Sequence, residues 1–288
     1  MTVKRSDFRC FLRLNVRWAE VDMQKIVFNA HYLMYFDTAM SEYWRALALP
    51  YQTSLDALGG DLYVAKATVE FHGSARVDDQ IDVAMKCERV GTSSLRFVGA
   101  IFRGEEHLIS GELIYVFADP ATQKSKPVPD ALRAILLAYE AGETMVDVRL
   151  GDWSGLGAHA QQLRTEVFVN EQHIPKELEW DEADQQALHA VAYNRLGAPV
   201  ATARLLAGGR AGTVQLGRMA VHRFLRGSGV GRGVLLALVA AARARGETQV
   251  LLHAQRSAEG FYARLGFARV GEPFEEAGIP HVEMSLPL

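Results

Sequence analysis

"RFLRGSGVGRGVLLALVAA", Arg223 to Ala241, decides how the second half of this chain folds. Four glycines fall within seven residues, Gly227, Gly229, Gly231 and Gly233, and an apolar run follows at once. The stretch before it, Gln215 to His222, reads as a strand, and the stretch from about Gly229 to Arg245 reads as a helix. Strand, glycine loop and helix together turn backbone N–H groups and the positive end of a helix dipole toward an anion, most often a phosphate. Two common versions are excluded by spelling. A P-loop ends in Gly-Lys, and the chain contains no such pair. The dinucleotide fingerprint needs a glycine where Arg232 or Val234 stands, counting from Gly227 or Gly229. What remains is Arg226-Gly227-Ser228-Gly229-Val230-Gly231, an R-x-x-G-x-G pattern.

Working outward, helices and strands alternate. Met145 to Leu150 reads as a strand and Ala158 to Gln172 as a helix. Val191 to Tyr193 and Val200 to Leu206 are strands around the turn Gly197-Ala198-Pro199. Beyond the glycine helix come a strand at Gln249 to Ala254, a helix at Ala258 to Leu265, and strands near Phe267 to Val270 and His281 to Leu286. Such alternation predicts an α/β domain.

The first half has a different rhythm. Phe8 to Asp22 reads as a strand. His31 to Leu49 reads as a helix apolar on most of its circumference, hence buried. Four strands follow, Leu62 to Phe71, one around Ile81 to Glu88, Ser94 to Arg103, and His107 to Ala118. In the first, Tyr63, Ala65, Ala67, Val69 and Phe71 share a face. In the second, Ile81, Val83, Met85 and Cys87 do. A period of two marks antiparallel strands with one buried side. Pro127 and Pro129 precede a short helix, Asp130 to Tyr139. The pattern predicts an α+β domain, an antiparallel sheet wrapped around a long central helix. The glycine-punctuated segment Tyr139 to Gly157 is the seam, placing domains at 1–142 and 143–288.

Composition narrows the function. The 288 residues are 49% hydrophobic and 23% charged, with a formal net charge of -3, ordinary for a globular protein. That balance exerts no general pull on nucleic acid or anionic membrane. Cys10 and Cys87 form neither a CxxC nor a metal-ligand spacing, so no metal and no disulfide is expected. The start, MTVKRSDFRC, lacks the apolar core of a signal peptide, and the longest apolar helical run, Val234 to Ala242, falls well short of a membrane span. These features predict a cytoplasmic protein.

Chemistry in the first half concentrates in "RWAEVDMQKIVFNAHYLMYFD", Arg17 to Asp37. Asp22 ends the expected strand and Asn29 stands at the start of the helix, where asparagine is a favoured cap. Free N–H groups at a helix start can polarise a carbonyl, and a carboxylate beside them can attack it or activate water. From residue types alone, a solvated capping Asp fits as well. The segment resembles the active-site turn of hotdog-fold acyl-CoA thioesterases of the 4-hydroxybenzoyl-CoA branch, over about Phe8 to Tyr139. The resemblance implies that Asp22 is the catalytic carboxylate, that the Asn29 backbone N–H polarises the thioester carbonyl, and that the domain forms a homo-oligomer with sites between subunits. Lys25 stands where that family usually has glycine, and some relatives have histidine at the Asn29 position. His31 and Glu42, on the same helix, read as packing residues.

The R-x-x-G-x-G loop resembles the pyrophosphate loop of GNAT-fold N-acetyltransferases, which makes acetyl-CoA the source of the anion. Arg226, Gly229 and Gly231 match the motif, and Gly227, Val230 and Arg232 complete the loop. "GRMAV", Gly217 to Val221, resembles the strand that pairs with the pantetheine arm, bringing in Met219 and Val221. "GFYARLGF", Gly260 to Phe267, resembles the second family signature, in which a tyrosine at the Tyr262 position protonates the departing thiolate. "LRTEVFVNEQHIP", "LHAQ" and "FEEAGIPHVEM" place the likeness in the ElaA-like branch.

A general base must also be present, since an amine is protonated at neutral pH. By type the candidates are Glu171, His173, Glu179, Asp181, His253, Glu275 and His281. "EWDEAD", Glu179 to Asp184, reads as a loop that could meet a cationic substrate, although acidic loops are usually just solvated. The expectation is a bifunctional enzyme whose substrates are acyl-CoA, acetyl-CoA and an unknown amine acceptor, with no permanently bound cofactor. Alternatives are a sensor of CoA esters, and a transferase on a non-catalytic hotdog scaffold.

Overall fold

In the first unit, Met1–Met145, one helix organises the core. The computed structural model describes residues 3–276 and 278–288. The helix is α1 (Asn29–Ala46), and a second, α2 (Tyr51–Leu58), was not apparent from the pattern. Five antiparallel strands form the sheet: β1 (Cys10–Asn15), β2 (Asp61–Phe71), β3 (Gln80–Val90), β4 (Ser94–Arg103) and β5 (Glu106–Ala118). Their order is β1-β3-β4-β5-β2. A third helix, α3 (Asp130–Glu140), closes the unit, and its Glu140 Oε1 accepts from the Tyr43 O–H at 2.6 Å and the Cys87 N–H at 2.9 Å.

The helix seats where two strands have no side chains. Gly99 and Gly111 face each other across β4 and β5, and a Cβ on either would lie 2.5 Å from the Phe36 ring. Phe36 is fully buried there, with Tyr35, Ala39, Tyr43 and Trp44 buried along α1. The other side of the sheet carries its own small cluster, in which Phe8 packs with Ala84, Ala100 and Phe102. Asp82 is buried on β3 and held by Arg5 and Arg13, each at 2.7 Å.

Three expectations are corrected. The first strand stops at Asn15, and a 3-10 turn, Trp18–Glu20, separates it from Asp22. The helix α1 is not buried all round, since Leu33 and Met34 are exposed. The alternating face of β2 is not buried either, because β2 is an edge strand: Ala65 and Ala67 are exposed and Phe71 is 56% exposed.

The second unit, Val146–Leu288, is a seven-stranded sheet flanked by helices. In chain order it contains β6 (Val146–Gly151), α4 (Trp153–Arg164), a π-helical stretch Thr165–Glu171, α5 (Lys176–Glu179), β7 (Leu188–Asn194), β8 (Pro199–Ala207) and β9 (Thr213–Val221). There follow α6 (Val230–Ala244), β10 (Gln249–Gln255), α7 (Glu259–Ala263), β11 (Ala268–Glu276) and β12 (Ile279–Pro287). The sheet order is β11-β12-β10-β9-β8-β7-β6, and only β9 and β10 pair in parallel. The helix expected over Ala158 to Gln172 starts earlier, capped by the Asp152 carboxylate on the Gly155 N–H, and changes to π geometry at Thr165.

Candidate functional site

The parallel pair creates an opening. β9 and β10 are hydrogen-bonded only from Thr213 to Leu216 and from Gln249 to Leu252, yet both strands run on. Past that point lies a cavity of about 710 Å³, lined by Gly217, Arg218 and Met219 from one strand and His253 and Gln255 from the other. The carboxyl ends of parallel strands are where α/β sheets commonly receive ligands. A bulge shapes the β9 wall, since three steps along β9, Ala220 to Gly217, match two along β8, Thr202 to Arg204. Arg218 sits in the bulge with φ 51°.

The glycine loop abuts this strand. Gly229 is the N-cap of α6 with φ 92°, a left-handed conformation that glycine adopts without strain. It has no side chain to satisfy the first N–H groups of α6, which remain turned outward at Val230, Gly231 and Arg232. Gly231 has a different duty. A Cβ there would lie 3.0 Å from both Met219 and Val221, so its absence lets α6 press against β9. Met219 also meets the expected acid, with the Tyr262 O–H directed at its Sδ at 3.5 Å. Tyr262 lines the cavity and is 8% exposed, and burial pushes its hydroxyl up to about 12, so it holds its proton at neutral pH.

Loop glycines, β9 and Tyr262 are thus brought together. Arg226 is already engaged: its guanidinium forms a two-point pair with Glu171, at 2.6 and 2.7 Å, and its Nε donates to the Val221 carbonyl at 3.2 Å. The Arg226 pairing holds the Glu171 carboxyl below its usual range.

The acidic run Glu179 to Asp184 is only partly solvated, with Asp181 and Glu182 exposed and its two ends buried. Glu179 and Asp184 are buried, both on Arg164, which is itself 1% exposed. Arg204 joins Asp181 and Asp184 at 2.6 Å each. Hydrogen bonding by Arg204 holds the Asp181 carboxyl down at about 2. Acidic density alone gave no hint of burial, because the arginine partners lie 15 to 23 residues away in sequence.

In the first unit, Asp22 lies in a turn that returns to α1. Its Oδ1 accepts from the Gln24 N–H at 2.8 Å, and its own N–H donates to Ile26 O at 2.9 Å. Lys25 takes φ 62° in this turn, so the conformation usually given to glycine is adopted by lysine. Phe28, not Asn29, is the N-cap, which makes Asn29 the first helical residue with an N–H outside the helix's own ladder. Sequence reading missed Glu20. It is 3% exposed, its Oε2 accepts from the Tyr35 O–H at 2.8 Å, and its carbonyl accepts from the Phe28 N–H at 2.9 Å. Burial opposes its charge, but donors from Arg17 and Tyr35 prevail and keep the carboxyl below its usual range. Glu20 therefore ties the turn to the start of α1.

Among the described residues no group of three or more His, Cys, Asp or Glu could hold a metal ion, and no helix is long and apolar enough to cross a membrane.

The halves have separate relatives. Residues 16–136 match the model of the thioesterase-like superfamily, and residues 151–288 match the acetyltransferase (GNAT) domain. The acyl-CoA thioester hydrolase YbgC of Escherichia coli is 27% identical over 122 residues, 42% of this chain and 90% of that protein. The uncharacterised N-acetyltransferase YjcF of Bacillus subtilis is 37% identical over 123 residues, 42% of this chain and 86% of that protein. The crystal structure of Escherichia coli ElaA overlays with a TM-score of 0.45 at 30% identity, covering 49% of this chain and 99% of that one. The chain joins a domain that resembles the thioesterase-like superfamily to a domain that belongs to the GNAT acetyltransferase family.

Proposed function

We propose that the chain is a bifunctional CoA-dependent enzyme. In this reading the C-terminal unit transfers an acetyl group from acetyl-CoA to an amine. The observation that carries it is the opening between β9 and β10, with the glycine-capped start of α6 and protonated Tyr262 both meeting Met219 on β9. The pyrophosphate meets the N–H groups of Gly227 to Arg232, and the pantetheine arm runs along Met219 and Val221. Arg226 acts by fixing the loop through Glu171 and Val221. Attack by the amine expels the CoA thiolate, which takes its proton from Tyr262.

The N-terminal unit hydrolyses an acyl-CoA thioester. Asp22, in the turn before α1, attacks the carbonyl or activates water, and the Asn29 N–H, at the positive end of α1, receives the developing oxyanion. This unit assembles with a second copy. Support comes from apolar side chains left in solvent around the turn and α1, Trp18 at 82% and Met23 at 99% exposed, with Phe28, Leu33 and Met34.

Free thiol released from an acyl-CoA panel, with and without amines, tests both activities. Release without amine supports hydrolysis, and release that requires amine supports transfer. Binding without either would leave a sensor of CoA esters. Amine-dependent release alone would leave the first unit as a scaffold.

A further inference from the structure

We propose that His281 Nε2 takes the proton from the acceptor ammonium, which makes His281 the general base of the transfer assigned above to the second unit and rests on that reading. His281 lines the cavity and is 8% exposed. Its Nδ1 lies 2.7 Å from the Ile279 carbonyl oxygen. A carbonyl has no hydrogen to give, so Nδ1 carries the proton and the neutral ring keeps its lone pair on Nε2. No partner among the described residues occupies Nε2. The ring is held in place by β12, by its own hydrogen bond, and by stacking on Phe274, its cross-strand neighbour, at 5.9 Å and 23°.

Three of the rival groups are paired with arginines, whereas Glu275 also lines the cavity and is exposed on β11. Glu179 is on Arg164, Asp181 is on Arg204, and Glu171 is on Arg226. His253, on the other side of Phe274, has Nδ1 3.3 Å from Glu276, while its Nε2, 3.7 Å from Glu283, is beyond hydrogen-bond reach, so His253 is the rival that the variants below separate from His281. Glu275 and Glu276 on β11, Glu283 on β12, His253 on β10 and Tyr262 on α7 are ionisable groups on the elements around His281.

The step balances. One proton of R–NH3+ passes to Nε2, and the freed lone pair forms the C–N bond. The C–S bond breaks with its electron pair on sulfur. The thiolate takes the Tyr262 proton, and the second nitrogen proton restores Tyr262. Imidazolium returns its proton to solvent, leaving the amide and free CoA thiol.

Propylamine, putrescine and glucosamine serve as acceptor probes with acetyl-CoA. His281→Gln should bind acetyl-CoA as wild type does, yet lose about 10²-fold in amine-dependent turnover at neutral pH. Its rate should then climb about tenfold per pH unit toward the pKa of the free amine, because solution supplies the deprotonated form. His253→Gln should lose less than about tenfold. A second measurement on unaltered protein covers the chance that the variant misfolds. Diethyl pyrocarbonate, which acylates unprotonated imidazole nitrogen, should label His281, and bound acetyl-CoA should slow that labelling. Wild-type turnover with full activity in His281→Gln overturns the assignment and leaves transfer standing, as does a His281 that resists the reagent. No amine-dependent thiol release from wild type with any probe removes the transfer reading and this assignment together.

Discussion

Lys25 shows what one residue contributes to a site without touching substrate. Its φ of 62° closes the turn that carries Asp22, and its N–H donates to Asp22 O at 2.9 Å. An L-residue in that conformation costs roughly 1 kcal/mol that glycine does not incur. Part of the gain from glycine is offset by the greater freedom of the unfolded chain. Lys25→Gly should therefore stabilise the first unit by up to about 0.5 kcal/mol, and calorimetry should show its transition slightly higher. Asp22 keeps its place in the same turn, so thioester hydrolysis should persist. A lower transition temperature would mean that the lysine side chain stabilises the turn by a contact that outweighs its backbone strain.

At the scale of elements, glycines set how closely helix and strand can approach. In the first unit Phe36 occupies the space above Gly99 and Gly111. Gly111→Ala forces the ring out of that socket, and overpacking of this kind costs roughly 1–3 kcal/mol. Adding Phe36→Leu should recover part of the loss, and a double-mutant cycle by urea unfolding measures the coupling. Purely additive losses would show that the socket is not what seats α1. In the second unit, a Cβ on Gly229 meets nothing within 4 Å, but φ 92° strains any other residue. Gly229→Val should weaken one acetyl-CoA binding event, read by titration with Asp22→Asn also present so that the ligand is not hydrolysed, and an unchanged isotherm would remove the loop from the site. These elements also show what sequence could tell. Strand β5 and helix α6 were legible because their apolar periods match their burial, whereas β3, expected to bury one face, also buries Asp82 and Ala84 on the other. The face of β2 and the exposed side of α1 were misread, since apolar alternation does not say whether another layer covers it. The strand, glycine loop and helix of β9 and α6 were legible through local spelling. The Arg164–Glu179–Asp184–Arg204 cluster and the tautomer of His281 were not, because each depends on partners that only the folded chain supplies.

Across the whole molecule, the two sheets share no strand, and each proposed site draws its residues from one unit. Substitutions that share no partner combine within about 0.5 kcal/mol, roughly a factor of two in rate. Two near-isosteric variants turn this into a crossed test. Asp22→Asn removes the nucleophile or base and should lower amine-independent thiol release at least about 10²-fold, equivalent to about 2.7 kcal/mol of transition-state stabilisation. Tyr262→Phe keeps the ring and removes the acidic hydroxyl, and should lower amine-dependent release by a similar factor with acetyl-CoA binding intact. Each variant should stay within about twofold of wild type in the other assay. Both assays read the same thiol, so the rates must be separated by subtracting release measured without amine. If Asp22→Asn also silences transfer, the hydrolytic turn takes part in acyl delivery and the chain is a coupled machine. If Asp22→Asn hydrolyses as well as wild type, the carboxylate that acts lies elsewhere. If wild type hydrolyses nothing while Tyr262→Phe loses transfer, the first unit serves only to bind or assemble.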